Sequence, residues 1–453
     1  MSKFSRRKFI ITAGATAAGT LFAHGCTSGN NNTTANNTPA ANNTPAATSS
    51  PVAATNVSAA DAPEVTTAKL GYIALTDSAP LIIAKEKGLF DKYGMTGVEV
   101  LKQASWPVTR DNLEIGSQGG GIDGAHILTP MPYFMTLGQT KTKQAVPMYI
   151  LARLNTNGQG ISVANTYKEA KIGLDGKALK DAFSQAKASG KDELKVAMTF
   201  PGGTHDLWMR YWLAANGINP DQEVSVIPVP PPQMVANMKT GNMEAFCVGE
   251  PWNAQLINQG AGYSALVTGE LWKNHPEKAL GMRADWVDKH PKAAKAVLKA
   301  VMEAQQWCEK TENKEEMCQI LSQAKWFKVP AADIIERAKG NIEYGDGRPP
   351  VQASDLRMKF WADNASYPYK SHDLWFLTEN IRWGNIPADT NTKELVDKVN
   401  REDLWRAAAQ ELGVTAAEIP TSPSRGVETF FDGVTFDPEN PAAYLASLKI
   451  KKA

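Results

Sequence analysis

The chain has 453 residues and a formal net charge of +1, with 48 Lys and Arg against 47 Asp and Glu. This balance excludes a strongly basic nucleic-acid surface and a supercharged acidic tail, and four cysteines exclude a disulfide-dense scaffold. The length suggests two or three domains. The charges are unevenly spread, because no Asp, Glu, Lys or Arg occurs between Lys8 and Asp61.

Residues 1–26 have the pattern of an export signal. A basic start with an Arg-Arg pair precedes an apolar stretch at residues 9–22, which is too short and too rich in small residues to span a membrane. The segment Ser-Arg-Arg-Lys-Phe-Ile resembles the twin-arginine signals of proteins that are exported already folded. A chance Arg pair on an ordinary secretion signal is the alternative. Both interpretations predict that the protein leaves the cytoplasm.

A small residue precedes Cys26, as in the lipobox of bacterial lipoproteins, where the Cys is diacylated. Ala23 stands where Leu is usual, so simple signal cleavage is the alternative. Residues 27–66 are rich in Asn, Thr, Ala and Pro and have no hydrophobic period, which predicts disorder. The sequence therefore predicts a lipid anchor at Cys26 and a flexible tether that holds a folded body near a membrane face.

From residue 67 onward, strand patterns alternate with helix patterns. The predicted strands are 70–75, 98–101, 122–127, 147–151, 161–163, 194–198, 224–227 and 245–248, and the predicted helices are 80–86 (with Ser78 as N-cap), 111–115, 177–187, 206–216, 233–239 and 291–309. Such alternation predicts an α/β fold of parallel sheets covered by helices, with ligand sites at the carboxyl ends of the strands. The rest of the chain, beyond residue 283, reads as mainly helical.

The familiar enzyme motifs are missing from the sequence. Residues 119–124 fit G-x-G-x-x-G, but the apolar residues follow the glycines, so we interpret the segment as a tight turn before a strand and not as a nucleotide site. No Walker A, H-E-x-x-H, C-x-x-C or G-x-S-x-G motif occurs, and no two of the six histidines have ligand spacing. We therefore expect no enzyme activity, no cofactor and no metal.

The segment 201–208, Pro-Gly-Gly-Thr-His-Asp-Leu-Trp, follows a predicted strand and opens a helix. Exposed N–H groups at a helix N-terminus make a natural anion pocket, with Thr204 able to cap the helix and His205 able to donate into the pocket. The alternative is a plain capped helix start with a surface histidine.

Three further residues lie where a cleft between two lobes is expected. Trp106 follows a strand end and can stack on a planar ligand or plug the edge of a lobe. Gln159 precedes Gly160 where the chain leaves one lobe, and offers an amide donor or a flexible turn. Lys278 lies where the chain returns, although a lone Lys is usually solvated.

The remaining cysteines carry no metal-site spacing. Cys247 is predicted to be a buried core residue. Cys308 and Cys318 lie in a helical stretch and could form a disulfide if that stretch bends into a hairpin.

Taken together, several segments resemble the ABC-transporter solute-binding proteins for nitrate, sulfonates and bicarbonate, and most closely the cyanobacterial nitrate/nitrite- and bicarbonate-binding lipoproteins. The segments that carry the resemblance are 70–94, 116–124 (Gly-Ser-Gln-Gly-Gly-Gly-Ile-Asp-Gly), 282–287 (Met-Arg-Ala-Asp-Trp-Val), 366–375 (Ser-Tyr-Pro-Tyr-Lys-Ser-His-Asp-Leu-Trp) and 424–433 (Ser-Arg-Gly-Val-Glu-Thr-Phe-Phe-Asp-Gly). The similarity runs from about residue 67 to the C-terminus.

The resemblance implies a periplasmic-binding-protein fold of type II, with two α/β lobes around a central cleft and a long, mainly helical C-terminal region. Residues 67–160 plus 268–453 would form lobe 1, and residues 161–267 would form lobe 2. It also implies ABC permease and ATPase partners, a location on the periplasmic face of the cytoplasmic membrane, and no nucleic-acid partner.

On the nitrate site of that family, Trp106, Gln159, His205 and Lys278 fall on the anion-contacting positions, and Gly160 and Thr204 complete the predicted ligand-binding set. The position of Lys278 looks acidic in the bicarbonate branch, which suits a metal cation there. A Lys disfavours that arrangement, so the resemblance favours nitrate, with nitrite as a second ligand. Bicarbonate, a sulfonate or another oxyanion remains the alternative.

Two other classes share this fold. A pyrimidine-precursor synthase carries a cysteine-rich motif, and nothing like it occurs in this sequence. A regulatory domain fused to a transporter ATPase would bring a Walker A segment, which is also missing. We therefore expect a free binding component.

Overall fold

The computed structural model describes residues 57–191 and 193–452. The predicted signal, the predicted lipid site at Cys26 and residues 27–56 of the predicted tether lie outside the described residues. In the part of the chain that is described, no helix has both the length and the apolar character needed to cross a bilayer.

The strands are short and are separated mostly by helices. They are β1 (Thr67–Tyr72), β2 (Gly97–Lys102), β3 (Gly124–Leu128), β4 (Met148–Arg153), β5 (Gln159–Ala164), β6 (Lys195–Met198), β7 (Ser225–Pro228), β8 (Ala245–Gly249), β9 (Gly262–Val267), β10 (Lys278–Arg283), β11 (Glu428–Thr429) and β12 (Thr435–Phe436).

The helices cover the sheets and build the C-terminal region. They are α1 (Ala79–Glu86), α2 (Leu89–Lys92), α3 (Trp106–Ile115), α4 (Met131–Thr136), α5 (Lys177–Ala188), α6 (Thr204–Ala215), α7 (Met234–Lys239), α8 (Trp252–Asn258), α9 (Ala284–Lys289), α10 (Pro291–Glu309), α11 (Lys314–Ser322), α12 (Ala332–Lys339), α13 (Lys370–Arg382), α14 (Thr392–Val399), α15 (Glu402–Glu411) and α16 (Pro441–Ser447).

Two five-stranded sheets have the orders β2-β1-β3-β10-β4 and β7-β6-β8-β5-β9, and we call them, with the helices that cover them, lobe 1 and lobe 2. In lobe 1, β1 pairs in parallel with β2 and β3, whereas β10 runs antiparallel between β3 and β4. Lobe 2 repeats this plan with β5 running antiparallel between β8 and β9. Each sheet is therefore mixed and not wholly parallel, because each receives one strand directly from a crossing between the lobes.

The two crossing segments lie side by side. Residues 154–158 lead from β4 to β5, and residues 268–277 lead from β9 to β10. Asn157 N donates to His275 O at 3.0 Å, and Leu154 N donates to Lys278 O at 2.7 Å. The chain thus enters and leaves lobe 2 through one hydrogen-bonded ribbon, which fixes the relative positions of Gln159 and Lys278.

Two predicted helix caps are wrong in detail. Ser78 occupies the predicted N-cap position of α1, but its hydroxyl donates to Leu75 O at 2.8 Å and makes no capping hydrogen bond. Thr204 is the first residue of α6 and makes no cap hydrogen bond; Gly203 occupies the cap position. Helix α3 also begins earlier than predicted, since the Ser105 hydroxyl accepts from Val108 N and Pro107 suits a first turn.

The C-terminal region packs against both the sheet of lobe 1 and the start of α6. The ring of Trp375, from α13, stacks on Trp208 of α6 with centroids 4.9 Å apart and planes 16° from parallel. Trp272 lies edge-on to Trp375 at 5.2 Å. This aromatic cluster is buried, so the C-terminal helices support the helix that carries His205.

The predicted core cysteine is confirmed, since Cys247 is fully buried in β8. Cys308 and Cys318 lie in α10 and α11 and are free thiols.

At the other end of the described chain, Glu64 accepts hydrogen bonds from the backbone N–H groups of Lys292 and Ala293, each at 3.0 Å. The last part of the predicted tether therefore caps the first turn of the long helix α10.

Candidate functional site

The structure brings five of the six predicted ligand-binding residues into one contact network at the carboxyl ends of β1, β2 and β6 and at the two crossings. We call this network the polar cluster; its members are Asp77, Trp106, His126, Gln159, Thr204, His205, Glu277 and Lys278, and all are completely buried. Trp106 opens α3, Thr204 and His205 open α6, and Gln159 and Lys278 open β5 and β10. The alternatives of a solvated Lys278 and a surface His205 are thereby ruled out.

Lys278 is the central cation of the cluster. Its Nζ lies 2.9 Å from Asp77 Oδ2, 2.7 Å from Glu277 Oε1 and 5.8 Å from the ring centroid of Trp106. Burial opposes the charge on Lys278, but the two carboxylates outweigh burial and raise the pKa of its ammonium group. Lys278 is therefore charged, and its charge is shared by two internal anions.

Gln159 and His205 form a directed pair. The Gln159 amide nitrogen donates to Asp77 Oδ2 at 3.0 Å, which leaves Gln159 Oε1 facing His205 Nε2 at 2.8 Å. Because an amide oxygen can only accept, His205 carries its proton on Nε2. Burial, followed by the charge of Lys278, holds the pKa of His205 well below its usual value. His205 is a neutral donor.

Trp106 forms one wall of the cluster. Its ring lies 5.5 Å from the ring of His126, whose Nε2 is 2.6 Å from Asp77 Oδ1. Within the described residues the indole N–H of Trp106 has no hydrogen-bond partner although it is buried. A buried donor without an acceptor is costly, so this N–H is suited to an acceptor that arrives from outside.

Thr204 does not cap α6 because its hydroxyl donates to Glu277 Oε1. The other oxygen of Glu277 accepts from Trp208 Nε1 at 2.7 Å. Thr204 and Trp208 of α6 therefore both donate to the carboxylate that pairs with Lys278. The alternative of a plain capped helix start is wrong, since the side chains of this turn point into a buried ionic network.

Gly160 is the predicted site residue that the cluster does not include. It follows Gln159 in β5, and a Cβ placed on it would lie 2.9 Å from Asn253 Cγ, so the amide of Asn253 packs against its missing side chain. Asn253 in turn accepts from Ser162 and donates to Val248 O. The role of Gly160 at the ligand stays a prediction, while the packing of Asn253 against it explains why a glycine is needed there.

Three members of the cluster were missed by the sequence analysis: Asp77, His126 and Glu277. Asp77 follows β1 at its carboxyl end, which is a signal for a site residue, but the segment was interpreted as a helix start. His126 is a polar residue in the otherwise apolar strand β3, and Glu277 directly precedes Lys278. Each carries a local signal, but only the fold shows that they meet.

The cluster holds two carboxylates and one ammonium group. Burial opposes ionisation of Asp77, yet Lys278 and His126 outweigh it and lower the pKa of this carboxyl. For Glu277 burial prevails over Lys278 and raises the pKa. No three described His, Cys, Asp or Glu residues are arranged to hold a metal ion. The arrangement offers a cation, an amide, an imidazole N–H and an indole N–H, the donor set that a small anion requires.

Two α/β lobes, each with one antiparallel strand that directly follows a crossing, enclose a buried polar cluster where the chain crosses between them. These features define a solute-binding protein of the type II periplasmic fold. Comparison with known proteins agrees with this class and with the predicted fold. The crystal structure of the periplasmic nitrate-binding protein NrtA from Synechocystis superposes with a TM-score of 0.84 and 68% identity, covering 86% of this chain and 100% of that chain.

The chain belongs to the NMT1-like family, whose model matches residues 61–322. It is 65% identical to the nitrate/nitrite binding protein NrtA of Nostoc sp. over 454 residues, covering 100% of both chains. It is 46% identical to the bicarbonate-binding protein CmpA of Synechococcus elongatus over 456 residues, covering 99% of this chain and 98% of the relative.

Proposed function

We propose that this protein is an extracytoplasmic solute-binding protein that captures nitrate, with nitrite as a second ligand, and delivers it to an ABC importer. The observation that carries the proposal is the fully buried ammonium of Lys278 among Trp106, Gln159 and His205. Full-length identity of 65% to a nitrate/nitrite binding protein, against 46% to a bicarbonate-binding protein, supports this choice of anion. The protein acts as a binding component and not as an enzyme.

The donor set suits a flat, weakly basic anion. Lys278 supplies the formal charge, Gln159 and His205 supply N–H donors, and the unpartnered indole N–H of Trp106 adds another donor. In the structure these Lys, Gln and His donors are directed at internal acceptors, so the anion must compete with Asp77 and Glu277 for Lys278, with Asp77 for Gln159, and with the Gln159 oxygen for His205. Such competition favours release once the lobes separate, as a transport protein requires.

Bicarbonate or another oxyanion is the competing ligand. A carbonate-type ligand held through a metal cation needs carboxylates that are free to bind the metal, but Asp77 and Glu277 both pair with the ammonium of Lys278. Calorimetric titration of the purified protein against nitrate, nitrite, bicarbonate and a sulfonate, with and without calcium, separates the candidates. We expect nitrate and nitrite to bind without calcium. Calcium-dependent bicarbonate binding with no response to nitrate would overturn the proposal.

Lys278 is tested by substitution. Lys278→Glu should abolish nitrate binding, and Lys278→Gln should weaken it by about 1.5–3 kcal/mol through loss of a charge-assisted contact. Lys314→Gln is the matched control, because Lys314 is also buried but lies over the ring of Phe360 at 5.0 Å and away from the cluster. Equal affinities of the Lys278→Gln and wild-type proteins would refute the assignment of Lys278.

We further propose that the twin-arginine-type signal exports the chain, that Cys26 is lipidated, and that residues 27–56 tether the body to the periplasmic face of the cytoplasmic membrane, where permease and ATPase subunits receive the anion. In cells fed a labelled fatty acid, the wild-type protein should be labelled and fractionate with membranes. Cys26→Ser should lose both properties. A chain without residues 1–26 should be soluble and bind nitrate normally; failure to bind would assign those residues a further role.

A further inference from the structure

The charge balance of the polar cluster does not favour an added anion. Asp77 and Glu277 carry two negative charges and Lys278 carries one positive charge, all in completely buried side chains. A bound nitrate would raise the excess of negative charge in the same enclosed volume. Burial of unpaired charge costs several kcal/mol, so one of the internal charges has to change when the anion enters.

The ionisable and charged groups around Glu277 come from every element that packs on it. They are Lys278 and His275 on its own segment, His205 on α6, Cys247 on β8, and Asp77 and His126 on the far side of Lys278. Of these, only Lys278 is a cation at neutral pH, because burial keeps the pKa values of the three histidines low. Among these described groups, Lys278 alone therefore carries a positive charge that can offset the ligand.

Glu277 and Asp77 differ in what holds their charge. Asp77 accepts from Lys278, Gln159 and His126, three contacts that stabilise its ionised form. Glu277 accepts from Lys278, Thr204 and Trp208, of which only Lys278 is charged. If the ligand takes Lys278 away, both carboxylates keep two neutral donors, but Asp77 keeps the imidazole of His126, which can itself become a cation. The hydroxyl of Thr204 and the indole of Trp208, which stay on Glu277, cannot become cations. The raised pKa of Glu277 agrees with this asymmetry.

We propose that Glu277 takes up one proton when the anion binds and thereby releases Lys278 to the ligand; this inference rests on the proposed function. The carboxylate gains one proton from solvent while the lobes are open, its charge is neutralised, and the resulting O–H can donate to an anion oxygen instead of repelling it. Glu277 is thus a positioning residue for Lys278. Protonation also makes the site select monovalent anions, because the net charge of the cluster stays unchanged only when one negative charge enters with one proton.

Proton uptake gives affinity a defined dependence on pH. The pKa of Glu277 in the complex must exceed that in the free protein, so binding is strongest below the free-protein pKa. Affinity then falls as pH rises towards the pKa of the complex, by about tenfold per pH unit for one linked proton. A site without proton linkage would have a flat profile wherever nitrate itself does not titrate.

The direct test is nitrate calorimetry in two buffers of different ionisation enthalpy at one pH. The difference between the observed enthalpies yields the number of protons taken up, which we expect to approach one. In Glu277→Gln, whose amide imitates the protonated acid, uptake should vanish and affinity should no longer depend on pH. Glu250→Gln is the matched control, since Glu250 is also a buried carboxylate with a raised pKa but pairs with Arg337; it should keep the uptake.

Normal nitrate binding by the wild type with no buffer dependence would overturn the proposal, and so would undiminished uptake in Glu277→Gln. If that variant does not fold, infrared difference spectra of the wild type serve instead. A neutral-carboxyl band that appears on nitrate binding supports the proposal, and its absence refutes it. Complete failure to bind nitrate at every pH contradicts the proposed function itself, so the two failures are distinguishable.

Discussion

Arg153 of β4 and Asp373 of α13 form a fully buried ion pair, with Nη2 and Oδ1 2.7 Å apart and side-chain exposures of 1% and 0%. Arg153 Nη1 also donates to the hydroxyl of Thr129, which donates in turn to the backbone carbonyl of Glu277. Asp373 accepts a second hydrogen bond from Asn400. The C-terminal region is thereby connected, through three contacts, to the segment that carries Lys278.

Removal of one partner of this pair should be strongly destabilising. Asp373→Ala leaves the Arg153 charge buried and uncompensated, and we expect the free energy of unfolding to fall by about 3–5 kcal/mol. Asp397→Ala breaks an exposed pair with Lys370, the first residue of α13. We expect this variant to lower the free energy of unfolding by less than about 1 kcal/mol. Chemical denaturation of the three proteins measures both values. Similar losses in the two variants would contradict the assigned importance of burial.

The unpartnered indole N–H of Trp106 can be tested by a substitution that keeps a flat ring. Trp106→Phe should weaken nitrate binding by about 0.5–1.5 kcal/mol, the value of one hydrogen bond. Trp326→Phe is the control, because Trp326 also has a buried indole N–H with no partner in the described chain but packs against Tyr72, outside the cluster. Calorimetry measures the nitrate affinity of both variants. Equal effects on affinity would mean that Trp106 does not contact the ligand.

A small residue opposite Gln159 is also predicted to be essential for affinity. Gly249 pairs with Gln159 in the β5–β8 ladder, and a Cβ on it would lie 2.5 Å from Gln159 Oε1. Gly249→Ala should displace the amide from His205 and reduce nitrate affinity by about tenfold or more. Gly173→Ala, where the nearest atom is 3.6 Å away, should leave affinity unchanged. Wild-type affinity in Gly249→Ala would show that the position of this amide is not critical.

Two buried neutral histidines predict loss of stability in acid. Burial lowers the pKa of His275 and of His372 to about 3, whereas unfolded histidine titrates near 6.5. Because the unfolded chain binds protons first, stability is complete above about pH 6.5 and falls as pH decreases towards 3. Each histidine should cost about 2 kcal/mol between pH 7 and pH 5.

Denaturation at several pH values measures this slope. The double variant His275→Gln, His372→Gln should have a shallower dependence on pH over the same range, whatever its stability at pH 7. An unchanged slope would mean that other groups cause the acid destabilisation.

The alternation of strands and helices was sufficient to predict an α/β fold, whereas the division into two lobes came from the family resemblance. The same local signals did not predict β9 or β10. Strand β10 begins with Lys278 and runs antiparallel between strands that end at residues 128 and 153, a placement that depends on pairing across more than a hundred residues and not on local pattern.

The site was predictable only in part for a similar reason. Family resemblance predicted that Trp106, Gln159, His205 and Lys278 fall on the anion-contacting positions. It did not place Asp77, which is 201 residues from Lys278 in sequence and meets it because β1 and β10 both flank β3 in the sheet of lobe 1. An ionic contact between distant residues leaves no periodic signal in either segment, so its discovery requires the fold.

The contact between Glu64 and the start of α10 attaches the first described residues of the chain to lobe 1. Helix α10 packs on α1 of lobe 1, so a mechanical load on the chain before residue 57 is transferred to lobe 1. An upstream membrane anchor would then make lobe 1 the stationary frame and lobe 2 the part that swings. The travel of lobe 2, and not the length of the tether, would set how far the cleft opens towards the transporter.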